Sequence, residues 1–149
     1  MHVGELCIRH VVVAPRETSV WEAAKLMRHH HVGDIVVTAP VNGHRAPVGI
    51  VTDRDIVIEV LAPDLDAKTL TVGDIMGPEL TTVKEDEGIF ETIQAMRANA
   101  VRRAPVVDGN GVLVGIVSVD DMVELLAQEL GDLAKLINRE QKEEMETRP

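Results

Sequence analysis

Hydrophobic and polar positions along the chain follow the same order twice. In each copy a short β-branched run is followed by a stretch with helical spacing, by two further β-branched runs and by a second amphipathic stretch. The first helical stretch has its inward positions at i, i+3, i+4, i+7 and i+11. These positions are Val20, Ala23, Ala24, Met27 and His31 in the first copy and Ile89, Thr92, Ile93, Met96 and Ala100 in the second. The pattern predicts the order β-α-β-β-α in each copy.

Three short strands are predicted in each copy. The first two lie at Val11–Val13 and Ile35–Thr38 in copy one and at Leu80–Val83 and Ala104–Val107 in copy two. Copy one then has nine residues, 39–47, where copy two has six, 108–113, and we predict a surface turn in both. Asp108-Gly-Asn-Gly111 is a strong hairpin signal in the second copy.

A ten-residue sequence motif, which we call the closing phrase, occurs near the end of both copies. Val48–Val57 reads VGIVTDRDIV and returns as Val114–Val123, which reads VGIVSVDDMV, at an offset of 66 residues. Upstream matches, such as Val3 with Val72, occur at an offset of 69. A three-residue length change inside a surface turn accounts for the difference. We therefore predict one copy at 1–65, a second at 66–130 and a tail at 131–149.

Each phrase has a hydroxyl residue followed three positions later by an aspartate. Thr52 and Asp55, and likewise Ser118 and Asp121, occupy the positions of an N-cap and a capping-box acid at the start of the closing helix. Simple helix capping explains this pattern without any ligand. The same carboxylate can also face a cleft, so capping and ligand binding both remain open.

The closing helix of copy two continues into the tail. Pro63 ends the corresponding helix of copy one, whereas the second helix is predicted to reach about Glu144. Apolar residues at spacings of three and four form a seam along it, which comprises Val123, Leu126, Leu130, Leu133 and Ile137. Gly131 weakens this helix by about 1 kcal/mol relative to alanine. The seam either packs on its own domain or forms a contact between subunits.

Two copies of this order, each closing with Gly-Ile-Val-(Thr/Ser)-x-x-Asp, resemble a tandem pair of CBS domains (a Bateman module). The resemblance covers about residues 1–130. It implies an α+β fold in which two β-α-β-β-α repeats pack about a pseudo-twofold axis, with a C-terminal helical extension. It also implies a regulatory module that binds AMP, ADP, ATP or S-adenosylmethionine in the cleft between the copies, and a disc-like homodimer.

The resemblance also implies roles for the residues of the two phrases. Asp55 and Asp121 would bind the ribose hydroxyls, and Thr52 and Ser118 would lie near the phosphates. The chemistry agrees, because an ionised carboxylate offers two acceptors to a vicinal diol and a helix N-terminus favours phosphate. No cofactor is required, since the adenosine ligand would act as a regulator.

Charged positions differ between the copies. At the offset of 66 Arg54 aligns with Asp120, and at the offset of 69 Asp34 aligns with Arg103. Each copy thus has an acid where the other has a base. Phosphate favours the base, so the candidate phosphate contacts are Arg54, Arg102 and Arg103. We predict that one site binds phosphates better, with copy two favoured by Arg102-Arg103.

Adenine is expected to lie among strand residues. The candidates are Val13, Ile35 and Val36 in copy one and Thr82, Ala104 and Pro105 in copy two. A proline in this strand is common in the family, and copy one has Ile35-Val36 where copy two has Ala104-Pro105. The chain has one Trp, one Phe and no Tyr, so a bound ring would be held mostly between branched aliphatic side chains.

Composition narrows the function classes. The net charge of −10 disfavours nucleic-acid binding, since phosphate backbones attract positive charge. A single cysteine excludes an intrachain disulfide, no apolar stretch reaches membrane-spanning length, and the N-terminus lacks a signal-peptide pattern. A cytoplasmic protein without membrane contact is therefore predicted. No phosphate-loop, G-x-S-x-G or H-E-x-x-H motif occurs, so no enzymatic activity is predicted.

His29, His30 and His31, together with Cys7, allow a metal or redox hypothesis. Consecutive helical residues point in different directions, so one ion does not easily take all three histidines. We expect one histidine on the core face and two at the helix end, and Cys7 aligns with Met76 as a small apolar residue. No metal site is predicted.

These features predict a stand-alone sensor in which an adenosine ligand shifts a conformational equilibrium that a protein partner reads. The main alternative is a structural or interaction protein with vestigial clefts, in which Asp55 and Asp121 only cap helices. A metal- or redox-responsive protein is the third hypothesis.

Overall fold

The computed structural model describes residues 1–148, which form two three-stranded sheets flanked by helices. Copy one comprises α1 (Val3–Leu6), β1 (Val13–Pro15), α2 (Val20–His30), β2 (Asp34–Val41), β3 (His44–Thr52) and α3 (Asp53–Ile56), which continues as a π-helix at Val57–Leu61. Copy two comprises α4 (Val72–Ile75), β4 (Val83–Lys84), α5 (Ile89–Ala98), β5 (Arg103–Val107), β6 (Leu113–Ser118) and α6 (Val119–Thr147). The predicted α+β fold with a C-terminal helical extension is confirmed.

Both sheets have the same topology. β1 runs parallel to β2 and β2 runs antiparallel to β3, and β4, β5 and β6 repeat this arrangement. A break in the ladder at Val37/Thr38 recurs at Val106/Val107. The central strand of each sheet has a run of buried residues rather than an alternation, because both of its faces are covered.

The first strand of each copy begins later than predicted. Pairing with the central strand starts at Val13, opposite Val36, in copy one and at Val83, opposite Val106, in copy two. Residues 11–12 precede the ladder and line a cleft between the copies. Val11 and Val12 are apolar, which predicted an earlier start of the strand, but these two residues line the cleft instead.

The surface turn predicted at 39–47 is wrong in its extent. β2 and β3 continue through this segment and are joined by Asn42 and Gly43, whose φ angles are 50° and 78°. Positive φ at both positions is typical of the type I′ turn, for which Asn-Gly is a favoured sequence. The three extra residues of copy one thus lengthen a hairpin.

The opening segment of copy one packs on copy two. The amides of Val3 and Gly4 donate to the carbonyls of Glu87 and Glu85, at 2.8 and 2.9 Å. The two residues that follow α1 continue this contact, since Ile8 and Ile116 form an antiparallel bridge.

The opening segment of copy two packs on copy one through the equivalent contacts, 69 residues further along the chain. The amides of Val72 and Gly73 donate to the carbonyls of Thr18 and Arg16, at 2.8 and 3.0 Å. Val3 accordingly belongs to the core of copy two, and Val72 belongs to the core of copy one. Each half of the molecule therefore contains the body of one copy and the opening segment of the other. The two copies pack about a pseudo-twofold axis, and neither completes its core alone.

The glycine of each closing phrase leaves space for the opening segment of the other copy, which we call the exchanged segment. A Cβ at Gly115 would lie 2.6 Å from Cys7 Sγ and 2.9 Å from the carbonyl oxygen of Ile8. A Cβ at Gly49 would likewise collide with Met76 Sδ. Cys7 and Met76, which align in the sequence, thus make equivalent contacts on opposite copies, and Cys7 is buried.

The longer helices bury most of their predicted faces. The buried members are Val20, Ala23 and Met27 in α2 and Ile89, Thr92 and Met96 in α5. His31 and Ala100 were wrongly placed on these faces, because both are exposed and follow their helices with φ angles of 54° and 53°. A left-handed residue ends a helix, so helical spacing no longer applies there. Ala24 is exposed as well.

The helices that follow the two phrases differ in length. In copy one the Ala62 amide donates to the Val57 carbonyl at 2.8 Å, which closes the π-helix just before Pro63. In copy two α6 runs for 29 residues. All five seam residues are between 37% and 68% exposed, so the seam is not packed away on its own domain. Among the helices of residues 1–148, none combines the length and the apolar composition that a membrane span requires.

Candidate functional site

The two closing helices begin with the same hydrogen-bonded cap. The Thr52 amide donates to Asp55 Oδ2 at 2.8 Å, and the Asp55 amide donates to Thr52 Oγ1 at 3.1 Å. The Ser118 amide donates to Asp121 Oδ2 at 3.1 Å, and the Asp121 amide donates to Ser118 Oγ at 3.2 Å. The Ser118 hydroxyl also donates to the same Oδ2 at 2.9 Å. Capping, one of the two roles left open by the sequence, is therefore present in both copies.

Capping occupies one oxygen of each carboxylate. Among residues 1–148, no hydrogen bond reaches Oδ1 of Asp55 or of Asp121. Both side chains are half-buried. Each acid thus keeps one acceptor oxygen for another donor while it holds its cap, so capping and ligand binding are compatible.

A third cap shows what the motif does by itself. The Thr71 amide donates to Asp74 Oδ2 at 2.9 Å, and the Asp74 amide donates to Thr71 Oγ1 at 3.2 Å. Asp74 is exposed and lies outside both closing phrases. The Ser/Thr-x-x-Asp pattern is therefore a capping motif first, and a binding site needs a cleft beside it.

Such a cleft, of about 150 Å³, lies beside Asp121. Copy two contributes Arg103, Ser118 and Asp121 to its lining, and copy one contributes Val11, Val12 and Asp34. Aliphatic walls with a few polar groups are typical of small-molecule sites. Because both copies line the cleft, a molecule bound there would contact both halves of the fold.

An ion pair crosses this cleft. Arg103 Nε lies 2.7 Å from Asp34 Oδ2, and the two side chains are 35% and 19% exposed. Asp34 and Arg103 occupy equivalent positions in the two copies, so their contact lies at the pseudo-twofold axis. In the strand registers Asp34 pairs with Thr52 and Arg103 pairs with Ser118. The ion pair therefore connects the starts of the two closing helices.

Asp34 is held where a negative charge is unfavourable. Burial raises the pKa of this carboxyl above its ordinary value of 3.8, the Arg103 guanidinium works against this, and the Asp53 carboxylate raises the pKa again. The net direction is upward, because desolvation and the second carboxylate outweigh the ion pair. Asp34 is therefore influenced by one base, with which it pairs, and by one further acid nearby.

The other candidate phosphate contacts lie at the surface. Arg102 Nη2 is 3.6 Å from Asp120 Oδ1, and these side chains are 77% and 79% exposed. Arg54 is also exposed, and within residues 1–148 its side chain forms no ion pair. Of the three arginines, the described lining of the cleft beside Asp121 includes Arg103. Phosphate contact by these residues stays a prediction.

A comparison with protein families decides the classification. The family model described as the CBS domain matches residues 3–62 and 72–128. This chain belongs to the CBS domain family. Each matched span lies within one copy of the sequence pattern, so the protein contains a tandem CBS pair, which is followed by the rest of α6.

Similar sequences extend over most of the CBS pair. An uncharacterized protein of Methanopyrus kandleri is 39% identical over 124 residues, which cover 83% of this chain and 61% of that relative. The chain spans 55% to 61% of the length of two curated relatives that it matches.

Solved CBS structures share the fold. A CBS domain protein from Pyrobaculum aerophilum, complexed with AMP, is 30% identical with a TM-score of 0.72, and the match covers 81% of this chain and 89% of that one. The CBS domain pair of protein MJ0100, in complex with 5′-methylthioadenosine and S-adenosyl-L-methionine, is 26% identical with a TM-score of 0.74. That match covers 87% of this chain and 98% of the other.

The predicted adenine contacts of this CBS pair lie mostly in its cores. Ile35, Val36, Ala104 and Pro105 are fully buried, Val13 is half-buried and Thr82 is exposed. The cleft beside Asp121 is lined instead by Val11, Val12 and Val32 of copy one. Contact between a base and the six predicted residues stays a prediction.

Two polar residues of the cleft, His10 and Asp34, were not among the predicted site residues. Asp34 had a signal in the sequence, because it is equivalent to Arg103 and carries the opposite charge. His10 had none, since it lies between α1 and β1, in a segment whose place depends on packing with the other copy.

The histidine run is exposed and Cys7 is buried in the CBS pair. The His30 ring centroid is 4.8 Å from that of His29 and 6.2 Å from that of His10. Burial raises the pKa of the Cys7 thiol, and its Sγ contacts the Gly4 carbonyl at 3.5 Å. Within residues 1–148 no three His, Cys, Asp or Glu side chains are grouped to hold a metal ion.

Proposed function

We propose that this protein is a regulatory module that binds an adenosine ligand, such as AMP, ADP, ATP or S-adenosylmethionine, and performs no catalysis itself. The observation that carries the proposal is the cleft beside Asp121, where a carboxylate with one unoccupied oxygen faces a space lined by both copies. A vicinal diol donates well to such a carboxylate. Relatives of the same fold are complexed with AMP, or with 5′-methylthioadenosine and S-adenosyl-L-methionine, which supports this ligand class.

The same role is proposed for Asp55 from the equivalence of the two copies, since Asp55 and Thr52 line none of the clefts described within residues 1–148. Its cap has the same geometry as that of Asp121, and its Oδ1 likewise has no hydrogen bond within residues 1–148. In this proposal Asp55 and Asp121 hold ribose hydroxyls, and Thr52 and Ser118 lie on the side of the ligand's 5′ group.

Binding would act through the relative position of the two copies. The cleft combines Asp121 and Ser118 of copy two with Val11, Val12 and Asp34 of copy one. A ligand that contacts both copies stabilises the arrangement in which its contacts are best, and so shifts the population toward it. A protein partner that distinguishes the arrangements would read this shift.

We further propose that two chains associate as a homodimer. The exposed seam on α6, from Val123 to Ile137, offers an apolar face on a helix of 29 residues. Leu130→Glu is expected to reduce the mass measured by light scattering from a dimer to a monomer. Unchanged mass in this variant would exclude the seam as the contact.

The ligand proposal is tested by melting the protein with AMP, ADP, ATP, S-adenosylmethionine, 5′-methylthioadenosine, NAD and divalent metals. A ligand at about 100 times its dissociation constant stabilises the folded state by about 2.7 kcal/mol, which raises the melting temperature. At least one adenosine ligand should do so, and mass spectrometry of the denatured protein should identify any copurified ligand. A response to none of the adenosine compounds would favour the scaffold with vestigial clefts.

A further inference from the structure

The cleft beside Asp121 has an electrostatic character of its own. Its ionisable lining groups are Asp34, Asp121, Arg103 and His10. Arg103, its one permanent cation among the described lining residues, already forms an ion pair with Asp34 at 2.7 Å. Asp53 stands beside Gly33, the residue before Asp34, and adds a second negative charge nearby. The cleft is therefore acidic on balance.

We propose that the Asp34–Arg103 ion pair sets the ligand class of this cleft: adenosine with an uncharged or positively charged 5′ group is accepted, and phosphorylated adenosine is disfavoured. This inference rests on the proposed function and narrows it. The chemical class is that of a nucleoside with a hydroxyl, thioether or sulfonium at its 5′ carbon.

The position of the ion pair is the first reason. Arg103 is the strand partner of Ser118 and lines the same cleft, so its side chain lies beside the start of α6. In the proposed function this Ser118 side of the cleft receives the 5′ group of the ligand. A phosphate there would have to draw the guanidinium away from Asp34 and would then stand next to an unpaired carboxylate. Like charges at close range in a half-buried site repel strongly.

The lack of another cation in the lining is the second reason. Arg102 lies at the surface, 3.6 Å from Asp120, and it is not among the described lining residues. A sulfonium or ammonium group, in contrast, would be attracted by the two acids that line the cleft. A neutral thioether would rest on the aliphatic walls without any electrostatic penalty.

Size does not decide between these ligands. The cleft of about 150 Å³ is smaller than the roughly 300–1,000 Å³ typical of sites for drug-sized ligands, and S-adenosylmethionine is larger than AMP. The proposed discrimination therefore rests on charge. This proposal is the opposite of the expectation that Arg102-Arg103 makes copy two the better phosphate site.

The test is calorimetric titration of the full chain carrying Asp55→Asn, so that the Asp121 cleft is the site under study. The ligands are adenosine, 5′-methylthioadenosine, S-adenosylmethionine, AMP and ATP. The three without phosphate should bind at least about tenfold more tightly than AMP, since one close charge is worth that much in a half-buried cleft. Equal or tighter binding of AMP would overturn the inference while leaving the proposed function intact. Binding of none of the five would overturn both.

Asp34→Asn supplies the second arm. It keeps the side-chain shape and frees Arg103, so AMP binding should tighten about tenfold while 5′-methylthioadenosine changes by less than about threefold. Asp120→Asn is the matched control, because it removes the same charge from the exposed partner of Arg102. It should leave both affinities unchanged. An unaltered ratio of the two affinities in Asp34→Asn, or the same change in Asp120→Asn, would refute the role of the ion pair.

Discussion

The starts of α3 and α6 have the same cap and different surroundings. Thr52 and Asp55 exchange the same hydrogen bonds as Ser118 and Asp121, within a few tenths of an ångström. Next to Thr52 the neighbouring strand supplies Asp34, and next to Ser118 it supplies Arg103. The local phrase thus determines the cap, and residues outside the phrase determine what each site attracts.

The central ion pair shows what two copies on one chain make possible. Asp34 and Arg103 are equivalent residues that meet at the pseudo-twofold axis, at 2.7 Å. If the two copies were identical, like residues would meet there, and two acids or two bases would repel. Divergence of the copies allows complementary charges at the axis, and it makes the two candidate sites unequal.

The largest predicted difference between the copies concerns their phrase glycines. Gly115→Ala should destabilise the protein by about 2–3 kcal/mol, because its Cβ would meet a backbone carbonyl that cannot move freely. Gly49→Ala should cost about 1 kcal/mol, since its Cβ meets only the flexible side chain of Met76. Urea unfolding measures both values. Gly109→Ala, with nothing near its Cβ, is the control. Equal losses for Gly49→Ala and Gly115→Ala would contradict the predicted difference between the copies, and losses no larger than that of Gly109→Ala would contradict the exchanged packing.

The next prediction separates ligand binding from capping. Asp121→Asn and Asp55→Asn each keep an oxygen for the cap but lose the charge that strengthens a bond to a ribose diol. Each should weaken adenosine binding at its own site by about ten- to hundredfold. Asp74→Asn alters an identical cap outside both phrases and should not affect binding. Calorimetry measures the affinity of each variant for adenosine. Equal losses of affinity in all three variants would mean that the substitutions act by weakening the helices and not by removing a ligand contact.

A smaller effect is predicted where the two closing helices differ in length. Gly131 lies within α6 with nothing near the position of a Cβ. Gly131→Ala should therefore stabilise the helix by about 0.5–1 kcal/mol. Circular dichroism during thermal unfolding would show a higher melting temperature. A lower one would mean that this part of α6 is not helical in solution.

The smallest predicted effect is the pH dependence of Asp34. Its pKa is raised in the folded state, so its contribution to stability is present below the ordinary value of 3.8 and is lost as pH rises through the raised value. The melting temperature of Asp34→Asn minus that of the wild type should increase from acid to neutral pH. A decrease over this range would mean that the ion pair outweighs desolvation. Asp120→Asn serves again as the exposed control.

Much of the fold could be predicted because the same sequence pattern occurs twice along the chain. The offset of 69 identified equivalent elements, and the Thr52 and Ser118 caps follow from local sequence alone. The long β2–β3 hairpin was also within reach, since Asn42-Gly43 is a recognised turn signal. The π-helix at Val57–Leu61 had no comparable signal, because one extra residue per turn leaves no clear mark in the pattern.

The features that determine the site were harder to predict because they are non-local. Hydrophobic periodicity shows that Val3 is buried, but it does not show in which copy. The exchange of the opening segments brings residues 10–12 to the cleft beside Asp121. The alignment of Asp34 with Arg103 was visible in the sequence. Their contact depends on where the pseudo-twofold axis passes, which only the packed structure reveals.

The central claim is that Asp121 and Asp55 hold the vicinal hydroxyls of a ribose. Calorimetric titration of the wild-type protein with adenosine and with 2′-deoxyadenosine tests it most directly. We predict that adenosine binds at least about tenfold more tightly, because one charge-assisted hydrogen bond is lost with the 2′ hydroxyl, and that the Asp55→Asn/Asp121→Asn variant loses this preference. Equal affinity of the wild type for the two nucleosides would contradict the claim.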